Sequence, residues 1–198
     1  CVTADTNETL GSAYTDASGN YTIDSLPAGN YKIYFQSWAE WVGNGEYVNE
    51  WYQDKADFAT ADPLTLAVGQ HLTGINGVLA AFGSLSGTVT DAVTGAPIPG
   101  VQVSIFGNSY GWSATGISQP DGSYSITTIP PDSYRVQFWP PTDTFYLNQY
   151  YNGKTSSSTA DLVLVTGDQA VTGINGALVK GGKIAGTITE ASSGQLIP

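Results

Sequence analysis

The fold is decided by the stretch Leu85-Ser86-Gly87-Thr88-Val89-Thr90-Asp91. Apolar or small residues alternate there with hydroxyl side chains, which is the period-2 pattern of a β-strand with one buried face. Ninety-nine residues later (85 to 184), the stretch returns as Ile184-Ala185-Gly186-Thr187-Ile188-Thr189-Glu190. The repeat predicts that the same kind of strand opens one domain near residue 83 and another at residue 183.

The rest of the chain repeats with nearly the same period. One segment begins Val48-Asn49-Glu50-Trp51-Tyr52 and returns 99 residues later (48 to 147) as Leu147-Asn148-Gln149-Tyr150-Tyr151. An earlier segment, Gly19-Asn20-Tyr21-Thr22-Ile23, returns 103 residues later (19 to 122) as Gly122-Ser123-Tyr124-Ser125-Ile126. The first copy contains no counterpart of the opening strand. The sequence therefore predicts three parts: a first unit (residues 1–82) that lacks its opening strand, a complete second unit (residues 83–182) and a tail (residues 183–198).

The composition favours strands and excludes several classes of function. The chain has 24 Gly and 10 Pro and is only 12% charged, which is typical of strands joined by turns. Its net charge is −11 and its six basic residues form no cluster, so binding to a nucleic-acid backbone is excluded. The single cysteine, Cys1, permits no intramolecular disulfide, and no apolar run is long enough to span a membrane. We expect an extracellular or cell-surface protein.

Alternation of apolar and polar residues recurs through the second unit, for example at Val101-Gln102-Val103-Ser104-Ile105. Turn residues such as Asp121-Gly122 separate the alternating runs. Each full unit is therefore expected to have about seven short antiparallel strands. Late strands are expected at residues 64–68, 72–79, 163–165 and 171–179. The predicted fold class is all-β: two tandem Ig-like or transthyretin-like antiparallel β-sandwiches, plus a C-terminal strand of a third, incomplete unit.

The second unit carries the motifs of a known family. Gly87-Thr88-Val89-Thr90-Asp91 is followed by Pro97-Ile98-Pro99-Gly100-Val101, by Asp121-Gly122-Ser123-Tyr124 and by Tyr134-Arg135-Val136. This series resembles the carboxypeptidase regulatory-like domain, a group close to transthyretin-like, starch-binding-like and collagen-adhesin B-type sandwiches. The resemblance covers nearly the whole chain as two copies. It implies a spacer, a stalk or a binding platform on a larger surface protein.

The tail repeats the opening strand, which is the element that the first unit lacks. Three interpretations of this mismatch stay open. In the first, the tail is a donor strand that completes the first unit of a neighbouring molecule, so that the protein forms a homopolymer. In the second, the sequence is a window of a long tandem array. In the third, the first unit simply begins part-way through a domain. The donor strand would comprise Lys183, Ile184, Ala185, Gly186, Thr187, Ile188, Thr189, Ile197 and Pro198.

The acceptor edge for this strand is expected at the start of the chain. Cys1-Val2-Thr3-Ala4-Asp5 aligns with Gly100-Val101-Gln102-Val103-Ser104, which makes Cys1, Val2 and Ala4 the acceptor residues. A second alignment runs back from Gly19 at constant offset and leaves a few residues unmatched. The leading function is a structural subunit of an extracellular filament or stalk. The alternative is a carbohydrate-binding or adhesive module of a larger surface protein.

Catalytic chemistry finds no support in the residues. His71 is the only histidine, and Ala170 stands at its place in the second unit. The chain has no Ser-His-Asp arrangement, Cys-x-x-Cys motif or Gly-rich phosphate loop. Pairs of carboxylates such as Glu46 with Glu50 are interpreted as surface charge. We therefore predict that the protein is not an enzyme.

Calcium is the one cofactor that the sequence suggests. Ca²⁺ takes about 6–8 oxygen ligands from carboxylates and loop carbonyls, and several carboxylates fall in predicted turns. None of them has the spacing of an EF-hand loop. The candidate ligands are Asp16, Asp24, Asp62, Asp91, Asp121 and Asp161.

Two lysines and two asparagines recur between the units, namely Lys55 with Lys154 and Asn49 with Asn148. The collagen-adhesin relatives carry an intramolecular Lys–Asn isopeptide bond whose Lys lies on an early strand. Residues 85–90 contain no Lys, so this bond is not expected. Each Lys is predicted to lie over an aromatic ring and each Asn in a turn.

Exposed aromatic side chains could stack on sugars or bind another subunit. The loop at residues 38–47 is longer than its counterpart in the second unit and contains two Trp and two Glu. Such a loop is typical of a contact surface. The candidate aromatic residues are Trp38, Trp41, Tyr47 and Trp112, whereas Trp51 is assigned to the core because Tyr150 occupies its place in the second unit.

Overall fold

The structure is a computed structural model that describes residues 1–37, 47–109 and 111–197. The described residues form an all-β protein, as predicted, and their only helical parts are two short 3₁₀ turns at Thr142–Thr144 and Tyr151–Gly153. Among these residues, no helix has the length and apolar character needed to cross a membrane.

The first unit contains five short strands in its described residues. They are β1 (Val2–Thr3), β2 (Gly29–Lys32), β3 (Tyr34–Phe35), β4 (Glu50–Trp51) and β5 (Leu64–Leu66). One sheet has the order β1-β2-β5, and β3 pairs only with β4. The buried core of this unit is small: Val2, Trp51 and Ala61 form a cluster with Phe58 packed against it, and Tyr31 and Ile33 are buried as well.

The second unit contains nine strands and is a sandwich of two sheets. The strands are β6 (Gly83–Asp91), β7 (Gln102–Gly107), β8 (Ser113–Ile117), β9 (Ser123–Ile129), β10 (Asp132–Trp139), β11 (Gln149–Tyr150), β12 (Leu162–Val165), β13 (Ala170–Val171) and β14 (Gly176–Leu178). One sheet has the order β11-β10-β7-β8, with β12 also paired to β10. The other is built around β6, which pairs with β9, β13 and β14.

The core of the second unit lies between these two sheets. Alternate side chains point inward from each strand, as the period-2 pattern predicts. Leu85 and Val89 of β6 are fully buried, and so are Ile105 of β7 and Phe138 of β10. The prediction of a β-sandwich is confirmed by this arrangement.

The strand directions differ from the prediction of a purely antiparallel fold. β9 runs antiparallel to β6, but β13 and β14 run parallel to it. The reason is the connection: the chain leaves β12 in one sheet and crosses to the other before it reaches β13. It therefore enters the second sheet in the same direction as β6.

The sheet that contains β6 has no complete counterpart in the first unit. Residues 20–26 correspond to β9, and residues 71–79 correspond to the β13–β14 region, but neither segment belongs to a strand or a bridge. The strand predicted at residues 72–79 is therefore not formed. The physical reason is that an extended segment needs a partner for its backbone groups, and no described residue of the first unit lies in the place of β6.

The register of β1 decides between the two alignments of the chain's start. Val2 lies opposite Lys32 and Thr3 opposite Tyr31. In the second unit, the counterparts of Lys32 and Tyr31 lie opposite Phe106 and Gly107. Val2 thus takes the place of Phe106, and the alignment of residues 1–5 with 100–104 is not supported. The second alignment, which runs back from Gly19 at a near-constant offset, fits this register instead.

Candidate functional site

β6 is held on both sides in the second unit. Leu85 pairs with Ile126 of β9 in the antiparallel direction and with Val171 of β13 in the parallel direction. Further along, Val89 pairs with Gly176 of β14. A strand with partners on both sides has its backbone donors and acceptors satisfied, so β6 closes a gap that its neighbours cannot close themselves.

Gly87 sits at the closest approach between β6 and its parallel neighbour. The Ile174 amide donates a hydrogen bond to the Ser86 carbonyl oxygen at 3.1 Å. A Cβ atom at Gly87 would lie only 2.1 Å from the Ile174 carbonyl oxygen. No side chain fits there, so glycine is required by the space rather than by the backbone angles.

Asn175 fixes the position of β6 along its neighbours. Its side-chain Oδ1 accepts a hydrogen bond from the Thr88 amide at 2.9 Å and another from the Thr88 hydroxyl at 3.1 Å. A shift of β6 by one residue would break both bonds and would turn every inward side chain outward. Asn175 therefore acts as a register lock.

The first unit has the same neighbours without the strand between them. We call the space between residues 20–26 and 71–79 the open slot. In the second unit, Tyr124, Ile126, Ile129, Ile174 and Leu178 are buried. Their counterparts around the open slot are only half-buried, and they are Tyr21, Ile23, Leu26, Ile75 and Leu79.

Two contacts of Tyr21 at the open slot match those of Tyr124 in the second unit. The Tyr21 hydroxyl donates to the Ile75 carbonyl oxygen at 2.7 Å, just as the Tyr124 hydroxyl donates to the Ile174 carbonyl oxygen at 2.5 Å. The edge-to-face contact of Tyr21 with Phe35, with ring centroids 6.0 Å apart, also matches a Tyr–Phe pair in the second unit. Burial raises the pKa of Tyr21, which keeps this hydroxyl protonated as a donor.

The tail has the backbone of a strand ready to pair. The Ile197 amide donates to the Ile188 carbonyl oxygen at 2.9 Å, and the Glu190 amide donates to the Gln195 carbonyl oxygen at 2.8 Å. The same two bonds, at 3.0 and 2.8 Å, follow β6 in the second unit. The tail thus forms a hairpin like the one that begins with β6 in the second unit, although no strand of the described residues lies beside it.

The apolar face of the tail is exposed to solvent. Ile184 is 101% exposed and Ile188 72% exposed, whereas their counterparts Leu85 and Val89 are fully buried. Leu196 and Ile197 are exposed as well. Within the described part of the chain, the strand pairing of the tail is confined to its own hairpin. A cluster of exposed apolar side chains within sixteen residues (183 to 198) is typical of a surface that binds a partner.

The predicted acceptor residues lie away from the open slot. Val2 pairs with Lys32 of β2, and the Ala4 amide donates to the Asn30 carbonyl oxygen at 3.0 Å. Cys1 directly precedes this strand and is half-buried. These residues belong to the sheet that corresponds to the β7 sheet of the second unit, not to the sheet that corresponds to β6. The acceptor assigned below is therefore a different set of residues.

The candidate calcium ligands do not converge. Within the described ranges, no group of three or more His, Cys, Asp or Glu side chains could hold a metal ion. Hydrogen bonds inside their own turns lower the pKa of three carboxyl groups: backbone amides donate to Asp16 and Asp91, and the Ser123 hydroxyl and amide donate to Asp121. Asp62 and Asp161 form ion pairs with Lys55 and Lys154. Asp24 is exposed.

The recurring lysines bind carboxylates rather than aromatic rings. Lys55 lies 3.6 Å from Asp62, and Lys154 lies 3.8 Å from Asp161. The prediction that each would lie over an aromatic ring is wrong for these two residues, because an opposite charge is within reach. The lysines that do lie over rings are Lys32 above Phe58 and Lys180 above Tyr146.

The aromatic candidates do not form one surface in the described residues. Trp38 and Trp41 lie outside the described residues. Tyr47 is 43% exposed and bridges to Ala81. Trp112 packs edge-on against Tyr134, with ring centroids 5.8 Å apart, so its ring is part of the core. His71, the one histidine, is exposed.

Sequence reasoning missed the asparagines that flank β6 and the open slot. A signal was present, because the pentapeptide Thr73-Gly74-Ile75-Asn76-Gly77 returns unchanged as Thr172-Gly173-Ile174-Asn175-Gly176. Both copies have the composition of a turn, so the pattern alone hid the role of the side chain in binding a strand.

The second unit matches the family model of the carboxypeptidase regulatory-like domain. The family model matches residues 84–175, which runs from the first residues of β6 to Asn175. The resemblance inferred from the sequence motifs is thereby confirmed for this unit. No curated protein sequence matches the chain.

Several solved structures are similar to the chain at low identity. The pilus 2b backbone protein of group B streptococcus is 14% identical over 67% of this chain and 48% of its own (TM-score 0.33). BcpA, the major pilin subunit of Bacillus cereus, is 15% identical over 79% of this chain and 41% of its own (TM-score 0.38). A dioxygenase domain from Streptomyces sp. SirexAA-E is 15% identical over 56% of this chain and 86% of its own (TM-score 0.32). The chain thus spans less than half of either pilus protein, and likenesses this weak carry no argument about function.

Proposed function

We propose that the protein is a structural subunit of an extracellular filament or stalk, built from β-sandwiches that are joined by their opening strands. One observation carries the proposal. The open slot and the tail are the two separate halves of an arrangement that β6 completes inside the second unit. The tail of one molecule, or of one segment of a longer array, is the strand that the open slot of the next molecule or segment accepts.

The free energy of docking comes from two sources. Burying Ile184 and Ile188 would contribute roughly 1.5–3 kcal/mol each. The strand would also give strand partners to backbone groups on residues 20–26 and 71–79, which pair with no strand in the described part of the chain, at about 1 kcal/mol per hydrogen bond. Both halves expose apolar side chains when they are apart, so association removes an unfavourable surface from each of them.

The geometry of this contact favours a linear assembly. The tail and the open slot are different surfaces, so each molecule uses one at its front and the other at its end. Contacts of this head-to-tail kind produce an open filament unless the rotation closes a ring. The joined units are either separate molecules or successive segments of a longer tandem array, and both give a fibre of stacked sandwiches. The proposed role is non-enzymatic.

The proposal is tested by removing the tail. We expect the full chain to form fibres in negative-stain images and to sediment as a concentration-dependent series, and a version that ends at Gly182 to stay monomeric. A second variant, Ile184→Asp with Ile188→Asp, should behave like the truncated chain, because both side chains are exposed in the monomer. Fibres formed without the tail would overturn the proposal. Denatured native fibres that run at 20.7 kDa indicate separate subunits, and much longer chains indicate an array.

A further inference from the structure

We propose that the open slot accepts the tail of a second copy of this chain in a single register, set by three contacts. Gly186 lies against the Ile75 carbonyl, Thr187 binds Asn76, and Glu190 binds Tyr47. This inference rests on the proposed function, and it adds the residues that select the partner. The second unit supplies the template for each contact.

Gly186 is the position where the incoming strand has no room for a side chain. Its counterpart Gly87 is pressed against the Ile174 carbonyl oxygen, 2.1 Å from where a Cβ would stand. Ile75 is the counterpart of Ile174, and the Tyr21 hydroxyl already holds its carbonyl oxygen in the same way. In the free tail, by contrast, a Cβ at Gly186 would meet nothing within 4 Å. The glycine is therefore needed for docking and not for the fold of the tail.

Asn76 is the register lock of the open slot. The bonds that Asn175 accepts from the Thr88 amide and hydroxyl identify the partner of Asn76, because Thr187 stands 99 residues after Thr88 (88 to 187). Asn76 is exposed in the monomer, where no strand covers it. The exposed side-chain amide of Asn76 gains hydrogen-bond partners once the incoming strand places Thr187 beside it.

Glu190 and Tyr47 form the contact at the end of the strand. In the second unit, the Tyr146 hydroxyl donates to Asp91 Oδ2 at 2.8 Å. Tyr47 corresponds to Tyr146 (47 to 146), and the bridge of Tyr47 to Ala81 matches the bridge of Tyr146 to Lys180. Tyr47 is 43% exposed and so remains accessible to an incoming carboxylate. Glu190 stands at the place of Asp91 and accepts more than one bond through its carboxylate.

These contacts exclude neighbouring registers and favour a second copy as the partner. A slip of one residue would place Ala185 or Thr187 against the Ile75 carbonyl and would turn Ile184 and Ile188 toward solvent. β6 carries the same pattern, but it is already buried in its own unit. Among the described residues, the tail is the other segment that has the glycine, the threonine and the carboxylate at the required spacing, and its apolar side chains are exposed.

The test compares variants of the full chain by sedimentation velocity over a range of concentrations. Gly186→Val is expected to weaken association by about 100-fold, because the added carbons overlap a backbone oxygen. Its matched control, Ala185→Val, adds bulk on the outward face and should leave association unchanged. Asn76→Ala should weaken association by about tenfold through loss of the two bonds to Thr187. Thermal melts should be unchanged for all three variants.

The outcomes separate this inference from the proposed function. If association needs the tail but Gly186→Val and Asn76→Ala bind as tightly as the original chain, the register is wrong and the filament role stands. If association persists in the version that ends at Gly182, the proposed function itself fails. If Ala185→Val disrupts association as strongly as Gly186→Val, the tail packs with its other face inward and the register is also overturned.

Discussion

The two units carry much the same sequence, yet only one of them forms both sheets. The pentapeptide Thr73-Gly74-Ile75-Asn76-Gly77 and its identical copy at residues 172–176 occupy equivalent places. The copy adjoins β13 and β14, which pair with β6, whereas the first pentapeptide forms no strand or bridge with any described residue. The difference shows that these segments become strands only when an opening strand lies between them.

The comparison also separates what each unit needs for its own stability. The first unit holds its slot open with the bond from Tyr21 to Ile75 and a small core around Trp51. The second unit buries Leu85 and Val89 in a core that spans both sheets. The two units therefore differ most in the apolar side chains that β6 buries in the second unit and that the first unit lacks.

The largest effect on stability is expected from truncating Leu85, the first apolar side chain of β6. Leu85→Ala should lower the free energy of unfolding of the second unit by about 2–5 kcal/mol, because it leaves a cavity in a fully buried site. The equivalent change Ile184→Ala should alter the stability of dilute monomer by less than about 0.5 kcal/mol, since that side chain is exposed. Urea denaturation monitored by tryptophan fluorescence measures both.

The Ile184→Ala result is the sharper of the two. A loss above about 1 kcal/mol in dilute protein would mean that the tail packs on its own molecule. The comparison between a filled and an open slot would then no longer hold.

A smaller effect is expected from acid. Hydrogen bonds from the Thr94 amide, the Tyr146 hydroxyl and the Val93 amide hold the pKa of Asp91 well below its ordinary value of 3.8. A carboxyl group with a lowered pKa contributes stability above its ordinary pKa, and that contribution is lost as the pH falls through its folded-state pKa. The second unit should therefore lose stability below about pH 4, and Asp91→Asn should flatten this dependence.

Melting temperatures measured between neutral pH and pH 2 check this prediction. The original chain and Asp91→Asn should differ most at neutral pH and converge in acid. Parallel curves for the two proteins would contradict the role given to the bonds of Asp91.

The prediction with the smallest effect concerns the ion pairs that both units share. Lys55 with Asp62 and Lys154 with Asp161 are partly exposed pairs, whose contribution is about 0.2–1 kcal/mol. Asp62→Asn and Asp161→Asn should each cost less than about 1 kcal/mol of stability and should leave association intact. A double-mutant cycle with Lys→Met at each pair measures the coupling. A markedly larger value in one unit would show that the pairs, too, distinguish the units.

The sequence predicted the large features of this molecule because they depend on local patterns. The repeat of Leu85 at Ile184 located the unit boundary, and alternation predicted strands such as β7 and β10. Period-2 alternation contains no information on strand direction, so the parallel pairing of β13 and β14 could not be read from it. The same holds for the acceptor: Val2 lies in β1 and Ala4 directly follows it, but the topology places both beside β2, in the other sheet.

The functional details depend on contacts that are distant in sequence. Asn175 and Thr88 are far apart in the chain, and a turn-like pentapeptide gives no sign that its side chain binds a strand. The exclusion of a side chain at Gly87 depends on the carbonyl of Ile174, which only the fold brings close. Such roles become visible once the filled and open slots are compared in three dimensions.

Hydrogen exchange of the backbone amides at residues 21–26 and 71–79 tests the central claim most directly. In dilute monomer, we predict that these amides exchange rapidly, while those at residues 123–129 and 176–178 are protected. On concentration into fibres, protection should rise at residues 21–26, at residues 71–79 and in the tail together. Exchange at these residues that stays fast in the fibre, or that is already slow in the monomer, would contradict the docking of a tail strand into the open slot.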